Sequence, residues 1–296
     1  MRSETALAGL LGMAIMFLPI PSFAEGTQIE GFNLEGFDDA GQKSWEVNGD
    51  TADVQGNLIK LSNIIAHSYG ENHYKVTART GSVDQQKNII HLKNDVVIRD
   101  DKGSRLLTDS LDWDRKADII TTDERVMIVD KTMMVTGTGM ESKPGLKQTR
   151  VGEDVKFRVK PDESSVPQDT VIITSEGPMT IDQIGQTAVF EQNVVMTQND
   201  QMVKADRVEM QFDGETKKIT HVVCLGHVEI YQEKDTSYAD RAVYDVQTQK
   251  MMLYGRPKMV IKTEGQDVFA PDANKPAVSD TLVTTKGHDV AAPVGN

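Results

Sequence analysis

The chain has 296 residues and carries 32 Lys and Arg against 45 Asp and Glu, a formal net charge of −13. That length fits one large or two ordinary domains, and the acidic balance argues against a nucleic-acid binder built on phosphate neutralisation. Cys224 is the only cysteine, which rules out an intramolecular disulfide. With 38% hydrophobic and 5% aromatic residues, the sequence is lean for a thick core and suits a wide, shallow all-β structure.

Ala6 to Ile20 is the one long apolar run. At about 15 residues it is short for a membrane span. Arg2 precedes it, and Pro21-Ser22-Phe23-Ala24 follows, with small residues at Ser22 and Ala24. This reads as a secretory signal over residues 1–24, cut after Ala24. The competing reading is an uncleaved anchor. Both readings export the rest of the chain, and a lone cysteine suits an oxidising compartment.

From about Gln28 to Lys262 the chain reads as short strands separated by turns. Ile89 to Leu92, Val96 to Ile98, Arg125 to Val129 and Val194 to Met196 are examples. Turn signals stand at Asp38 to Gly41, Asp100 to Gly103, Asp213-Gly214 and Glu264-Gly265. A repeat is also present. Ala78 to Asp84 recurs as Thr108 to Asp114; each copy continues into an Ile pair (Ile89-Ile90, Ile119-Ile120) and then Val96 or Val126. Ala239 to Asp245 repeats the opening, and Lys204 to Val208 begins a looser copy with a longer turn. The unit is a strand, a turn at Asp, a strand, a polar corner and a further strand. Such units bury their apolar faces only by stacking.

Residues 160–169, with two prolines and two serines, read as a linker between β modules at 28–159 and 170–263. Residues 264–296 lack periodicity and read as a disordered tail.

Catalytic and metal motifs fail. Gly137-Thr138-Gly139 begins like a dinucleotide loop, but Ser142 holds the third glycine position. On a strand, His221 and His227 share a face that Cys224 does not, so that cluster is no metal site; His67, Glu71 and His73 flank a turn. Asp109, Asp112 and Asp114 fit turn capping better than paired-carboxylate chemistry. The sequence therefore assigns no residue to catalysis, to a metal site or to a cofactor. The methionines are more informative. Met127, Met133, Met134, Met196, Met202, Met210, Met251, Met252 and Met259 lie on or beside strands. Core filling accounts for them residue by residue, yet Val, Ile, Leu and Met lining two stacked sheets would also form an adaptable slot for acyl chains.

The residues of the first module resemble LptC, a component of the lipopolysaccharide export machinery. The resemblance rests on Ile29 to Phe32, on Ser44 to Val47 leading to Ala52, and on the Thr77 to Gly81 and Thr108 to Leu111 units. The second module is similar to the LptA/OstA bridge family over Ile173 to Met179, Ala188 to Val194, Lys204 to Arg207, Leu225 to Val228 and Tyr238 to Ala242. The resemblance implies two tandem open antiparallel β-jellyroll modules in a natural fusion. It departs from LptC at the N-terminus, where that family keeps an uncleaved helix.

What the resemblance implies is a periplasmic, non-enzymatic bridge, tethered to the inner membrane if residues 1–24 are retained. It would pass lipopolysaccharide from the inner-membrane ABC transporter toward the outer-membrane translocon along an apolar slot continuous through both modules. Shielding matters because each CH₂ kept from water contributes about 0.8 kcal/mol. Groove candidates are Trp113, Ile128, Val194, Met196, Met210, Tyr244 and Leu253. Edge-strand docking candidates are Ile29, Phe32 and Leu34 toward the transporter, and Met259 and Ile261 toward an OstA-type domain of the translocon. Two alternatives stay open: a scaffold that pairs strands between membranes without holding lipid, and an enzyme acting on surface glycan.

Overall fold

The computed structural model describes residues 26–38, 40–69, 73–130, 133–143, 147–159, 170–214 and 218–262. The signal segment 1–24, the linker 160–169 and the tail 264–296 lie outside these residues. The chain up to Val260 forms one unit; of the second, from Ile261 onward, only Ile261 and Lys262 are described.

The first unit is all-β. Its strands are β1 (Gln28–Phe37), β2 (Lys43–Gln55), β3 (Leu58–Tyr69), β4 (His73–Asp84), β5 (Ile89–Asp100), β6 (Arg105–Asp114), β7 (Ile119–Val129), β8 (Met133–Lys143), β9 (Gln148–Val159), β10 (Val171–Ser175), β11 (Met179–Asp182), β12 (Thr187–Gln198), β13 (Gln201–Phe212), β14 (Ile219–Gln232), β15 (Asp235–Asp245), β16 (Lys250–Tyr254) and β17 (Lys258–Val260). They form one antiparallel sheet in which, apart from two split strands, each strand pairs with its neighbours in sequence. Two positions in the ladder are filled by split strands. β10 and β11 both lie between β9 and β12, and β16 and β17 both lie on β15. The pairing therefore runs on from β9 into β10 and β11, joining β1–β9 and β10–β17 in one sheet.

Local chemistry explains the turns. Asp84, Asp114, Asp182 and Asp245 each end a strand, and each Oδ1 accepts a backbone N–H from the following turn: Lys87 at 2.9 Å, Lys116 and Ala117 at 2.9 Å, Gly185 at 2.8 Å, and Thr248 at 2.9 Å. Each turn closes on a residue with positive φ, namely Asn88, Asp118, Gln186 or Gln249. The repeated unit is thus an Asp-capped hairpin. The copy at Asp182 has no counterpart in the sequence reading.

The short strands expected from the sequence are halves of longer ones. Most strands break register near their middle, as at Lys93/Val96 in β5, Thr122/Arg125 in β7 and Glu191/Val194 in β12. Positive φ at Asn94, Gly139, Asp154, Asn193 and Gly226 marks these bulged corners. Inward residues follow a fixed spacing through the bend: Ile120 and Thr122, then Val126 and Ile128; Thr149 and Val151, then Val155 and Phe157. One face of the sheet therefore stays buried on both sides of the corner. The two halves meet across it. Phe157, in the half of β9 paired with β10, touches Phe190, in the half of β12 paired with β11, with ring centroids 5.5 Å apart and edge to face. This bent, open sheet is consistent with the expected jellyroll-type modules.

Candidate functional site: the inner apolar face

The inner face is continuous in chemistry from β1 to β15. Its alternate residues are Val, Ile, Leu, Met, Ala and a few aromatics, and they form a single cluster. Trp113, Ile128, Val194 and Met210 lie in this core, and Met196, Tyr244 and Leu253 pack against it partly buried. The groove candidates therefore share one face, which cross-strand pairs Trp113↔Ile120, Ile128↔Leu106, Met210↔Val222 and Tyr244↔Val222 make contiguous. The Trp113 indole N–H is buried and finds no acceptor among the described residues, an unspent donor within an apolar layer.

The interior is not uniform along the sheet. Packing is densest around the β9–β12 joint, where Val135, Val151, Val155, Phe157, Ile173, Met179, Phe190, Val194, Val208 and Met210 are at most 1% exposed. The expected slot is thus filled there by the protein's own side chains. The physical reason is the spacing of facing sheets, about 10 Å, which two inward layers occupy when both carry large side chains. The sequence reading missed Phe157, Ile173, Met179 and Phe190. The two-corner-two spacing of inward residues was the signal that would have found them.

The ends differ. At the β1 end, Phe32 lies over Gly49 and Trp45 over Gly36, and a Cβ on either glycine would stand 2.5 Å from Phe32 Cε1 or 1.9 Å from Trp45 Nε1. Glycine is needed at both places for these rings to close the layer. Ile29 and Leu34 pack partly buried beside them. A polar cluster backs this end on the outer side. Lys43 Nζ donates to Glu35 Oε1 at 2.7 Å and Glu46 Oε2 at 3.2 Å, Asn48 Nδ2 donates to Glu46 Oε1 at 2.9 Å, and Tyr69 OH donates to Glu46 Oε2 at 3.2 Å. The Asn48 and Lys43 hydrogen bonds hold the Glu46 carboxyl down at about 2.

At the β16–β17 end the described residues cover the inner face only in part. Register places Met251, Leu253 and Met259 inward, opposite Tyr244, Ala242 and Ser237, yet Met251 is 45% and Met259 62% exposed. Ile261 is exposed as well. Among the described strands, β1 pairs only with β2, and β16 and β17 only with β15. All five docking candidates therefore lie on or next to terminal strands with a free edge.

The remaining titratable groups have structural surroundings. Cys224 faces the core, and burial pushes its thiol up to about 11. His227 stands on the outer side, where hydrogen bonding to Asp206 at 2.8 Å raises its pKa. His221 lies 3.6 Å from Asp245 and His73 2.9 Å from Asp101, while Glu71 lies outside the described residues. His91 pairs with Asp112. Among the described residues no cluster of three or more His, Cys, Asp or Glu could hold a metal. No described helix is long and apolar enough to cross a membrane.

A continuous antiparallel sheet, bent so that one apolar face closes on itself, with strands at both ends paired on one side only among the described residues, defines an all-β protein built around an enclosed apolar layer. Comparison with known families gives the class its name. Residues 25–160 match the family described as lipopolysaccharide-assembly, LptC-related, and residues 173–273 match the LptA/(LptD N-terminal domain) lipopolysaccharide transport protein family. The two matches stand in tandem, an LptC-related segment followed by an LptA-type segment, both from families of non-enzymatic transport proteins, and they mark the chain as a component of lipopolysaccharide transport. Among solved structures it is similar to the crystal structure of LptH from Pseudomonas aeruginosa, the LptA-homologous periplasmic component of a lipopolysaccharide transport device. That likeness has 14% identity over 64% of this chain and 95% of the other, with a TM-score of 0.18. No curated protein matches.

Proposed function

We propose that the chain is a periplasmic bridge that carries lipopolysaccharide from an inner-membrane ABC transporter toward the outer-membrane translocon, its acyl chains held against the inner face. Residues 1–24 direct export. Modules 28–159 and 170–263 supply the two halves of the path, the β1 edge facing the transporter and the β16–β17 edge facing an OstA-type domain of the translocon. The observation that carries this reading is the unbroken apolar face, which runs from Phe32 through Ile128 and Met210 to Leu253. Acyl chains moved along it avoid a hydration cost of about 0.8 kcal/mol per CH₂, which several chains raise to tens of kcal/mol. The sugar head stays outside, next to an acidic surface that does not trap an anion.

Because the joint is filled, acyl chains pass only by wedging the two sheet halves apart where Phe157 meets Phe190. The same packing favours a second reading, a scaffold that pairs strands and holds no lipid. Mild extraction followed by mass spectrometry of bound 3-hydroxy fatty acids separates the two. Stoichiometric lipid is expected from the bridge, and its consistent absence identifies the scaffold.

A further inference from the structure

On the outer face, several basic side chains meet an acid across the sheet. Lys43 bonds Glu35 and Glu46, Arg207 bonds Glu191 and Glu209, and Arg79 pairs with Asp95. One row departs from this. Lys75 on β4, Arg99 on β5 and Arg105 on β6 are direct cross-strand neighbours, Lys75↔Arg99 and Arg99↔Arg105. All three are exposed, and none has an ion pair among the described residues. Like charges set opposite one another cost stability, so the row is unfavourable until an anion lies over it. Two residues further along each strand, about 7 Å away, runs a second outward row of Ile65, Thr77, Val97, Leu107 and Met127, each the register partner of the next. Ile65 is 39% and Met127 40% exposed. Acids bound the two rows and do not enter them. Glu46 is held by Lys43, Asn48 and Tyr69, Asp101 lies against His73, Asp95 against Arg79, and Asp130 accepts the Met133 N–H. Asp109, Asp123 and Glu124 stand at the corner, where the register breaks. Across the bend the sign reverses: the outward rows of β4 to β7 there carry Asp84, Asp112 and Asp114 and no Lys or Arg.

We propose that this outer face of β3 to β7 rests on an anionic lipid surface, with Lys75, Arg99 and Arg105 on the phosphates and Ile65, Val97, Leu107 and Met127 at the boundary with the acyl chains. A bilayer presents those two chemistries as adjacent layers, and two parallel rows, one cationic and one apolar, match them. Long basic side chains reach phosphates while their stems lie along apolar surface. The net charge of −13 does not forbid the contact. An anionic surface acts on bases close to it and loses its hold beyond the Debye length, about 8 Å at physiological salt, so the acids across the bend do not cancel the attraction. The proposal is independent of the bridge reading, which uses inward residues, whereas this contact uses outward ones.

The test uses the full chain with Met127→Cys carrying a polarity-sensitive dye. Cys224, the native thiol, is buried and pushed up to about 11, so it stays unlabelled. The dye reads this face alone, whatever other segment meets the vesicle. The probes are vesicles of phosphatidylcholine, with or without phosphatidylglycerol at one lipid in three. A blue shift is expected, its midpoint at about tenfold lower lipid when phosphatidylglycerol is present. Lys75→Gln, Arg99→Gln and Arg105→Gln together should erase that preference. Lys60→Gln, Lys87→Gln and Lys116→Gln, the same charge change across the bend, should keep it. The first triple variant should melt no earlier than the native chain, because it removes like-charge neighbours; if it does melt early, Arg99→Gln alone should weaken the preference by a smaller factor. Equal midpoints on both vesicles, an unaffected first triple variant, or equal losses from both triples overturn the proposal. So does a shift that requires lipopolysaccharide in the vesicle, which would give the row to the head of the cargo. A protein adduct in place of phospholipid, from a photo-crosslinking residue at Met127 in cells, overturns it as well. Crosslinking of lipopolysaccharide from Ile128 reports on the bridge reading separately and is expected to survive in the first triple variant.

Discussion

β10–β11 and β16–β17 are the same device in two settings. Each is a strand split by a Gly/Pro break, Glu176-Gly177-Pro178 in one and Gly255-Arg256-Pro257 in the other. At the joint the break is bridged on both sides: Asp154 N donates to Glu176 O, and Glu176 N donates to Gln192 O, both at 3.1 Å. With strands on either side, Ile173 and Met179 are fully buried. At the free end only β15 is present, and Met259 is 62% exposed. Methionine follows a GP or GxPx break in both, so intrinsic hydrophobicity does not set the burial. Pairing does. A split strand becomes core when a second neighbour arrives, and the β16–β17 end has the features of a joint still to be made.

If that comparison is right, the same type of truncation has unequal cost at the two places. Phe157→Ala or Phe190→Ala should destabilise the chain by about 3–5 kcal/mol, because each removes a buried ring and leaves a cavity. Met259→Ala should stay within about 0.5 kcal/mol in the isolated chain. Denaturant titration checks both, and comparable losses would break the comparison. Gly49→Ala sharpens it at the β1 end. The added methyl meets both the Phe32 ring and, at 2.8 Å, the Ser62 backbone carbonyl, so it should cost about 1–3 kcal/mol even if Phe32 moves away, a movement that NMR shifts of the ring would report.

Removing a turn cap should cost less. Asp114→Ala takes away the acceptor of two backbone N–H bonds, worth about 1 kcal/mol, and should shift the denaturation midpoint without changing its slope. The smallest expected effect concerns pH. Glu46 has a folded value near 2, below its ordinary 4.5, so its contribution is present above the ordinary value and is lost as pH falls through the folded one. Hydrogen exchange of β1–β3 should loosen between pH 4.5 and 2 before that of the joint does, and Glu46→Gln should remove the difference.

Much of this was legible in sequence. Asp84, Asp114 and Asp245 announced their hairpins because a capping carboxylate at a strand end is a local signal. Ile128, Val194 and Met210, named as groove candidates, are buried in the apolar layer, although the sequence itself did not settle the strand register. The corners were harder. Val96 looked like a new strand because a bulge at Asn94-Asp95 interrupts alternation without ending the pairing. Phe157 was missed because Lys156 and Arg158 flank it, and its burial comes from Phe190, a residue on the other half of a folded sheet. The filled joint is likewise a tertiary fact. It depends on which large side chains meet across the bend, and no window of sequence contains both.

The central claim is that the inner face, and not the outer, holds acyl chains. Photo-crosslinking residues placed in living cells at Trp113, Ile128, Val194, Met210 and Tyr244, each compared with an outward neighbour such as Asp112, Met127, Val195, Glu209 or Val243, test it most directly. Lipopolysaccharide adducts at the inward set and none at the neighbours are the predicted result. Equal capture on both faces, or capture on neither, would contradict the account.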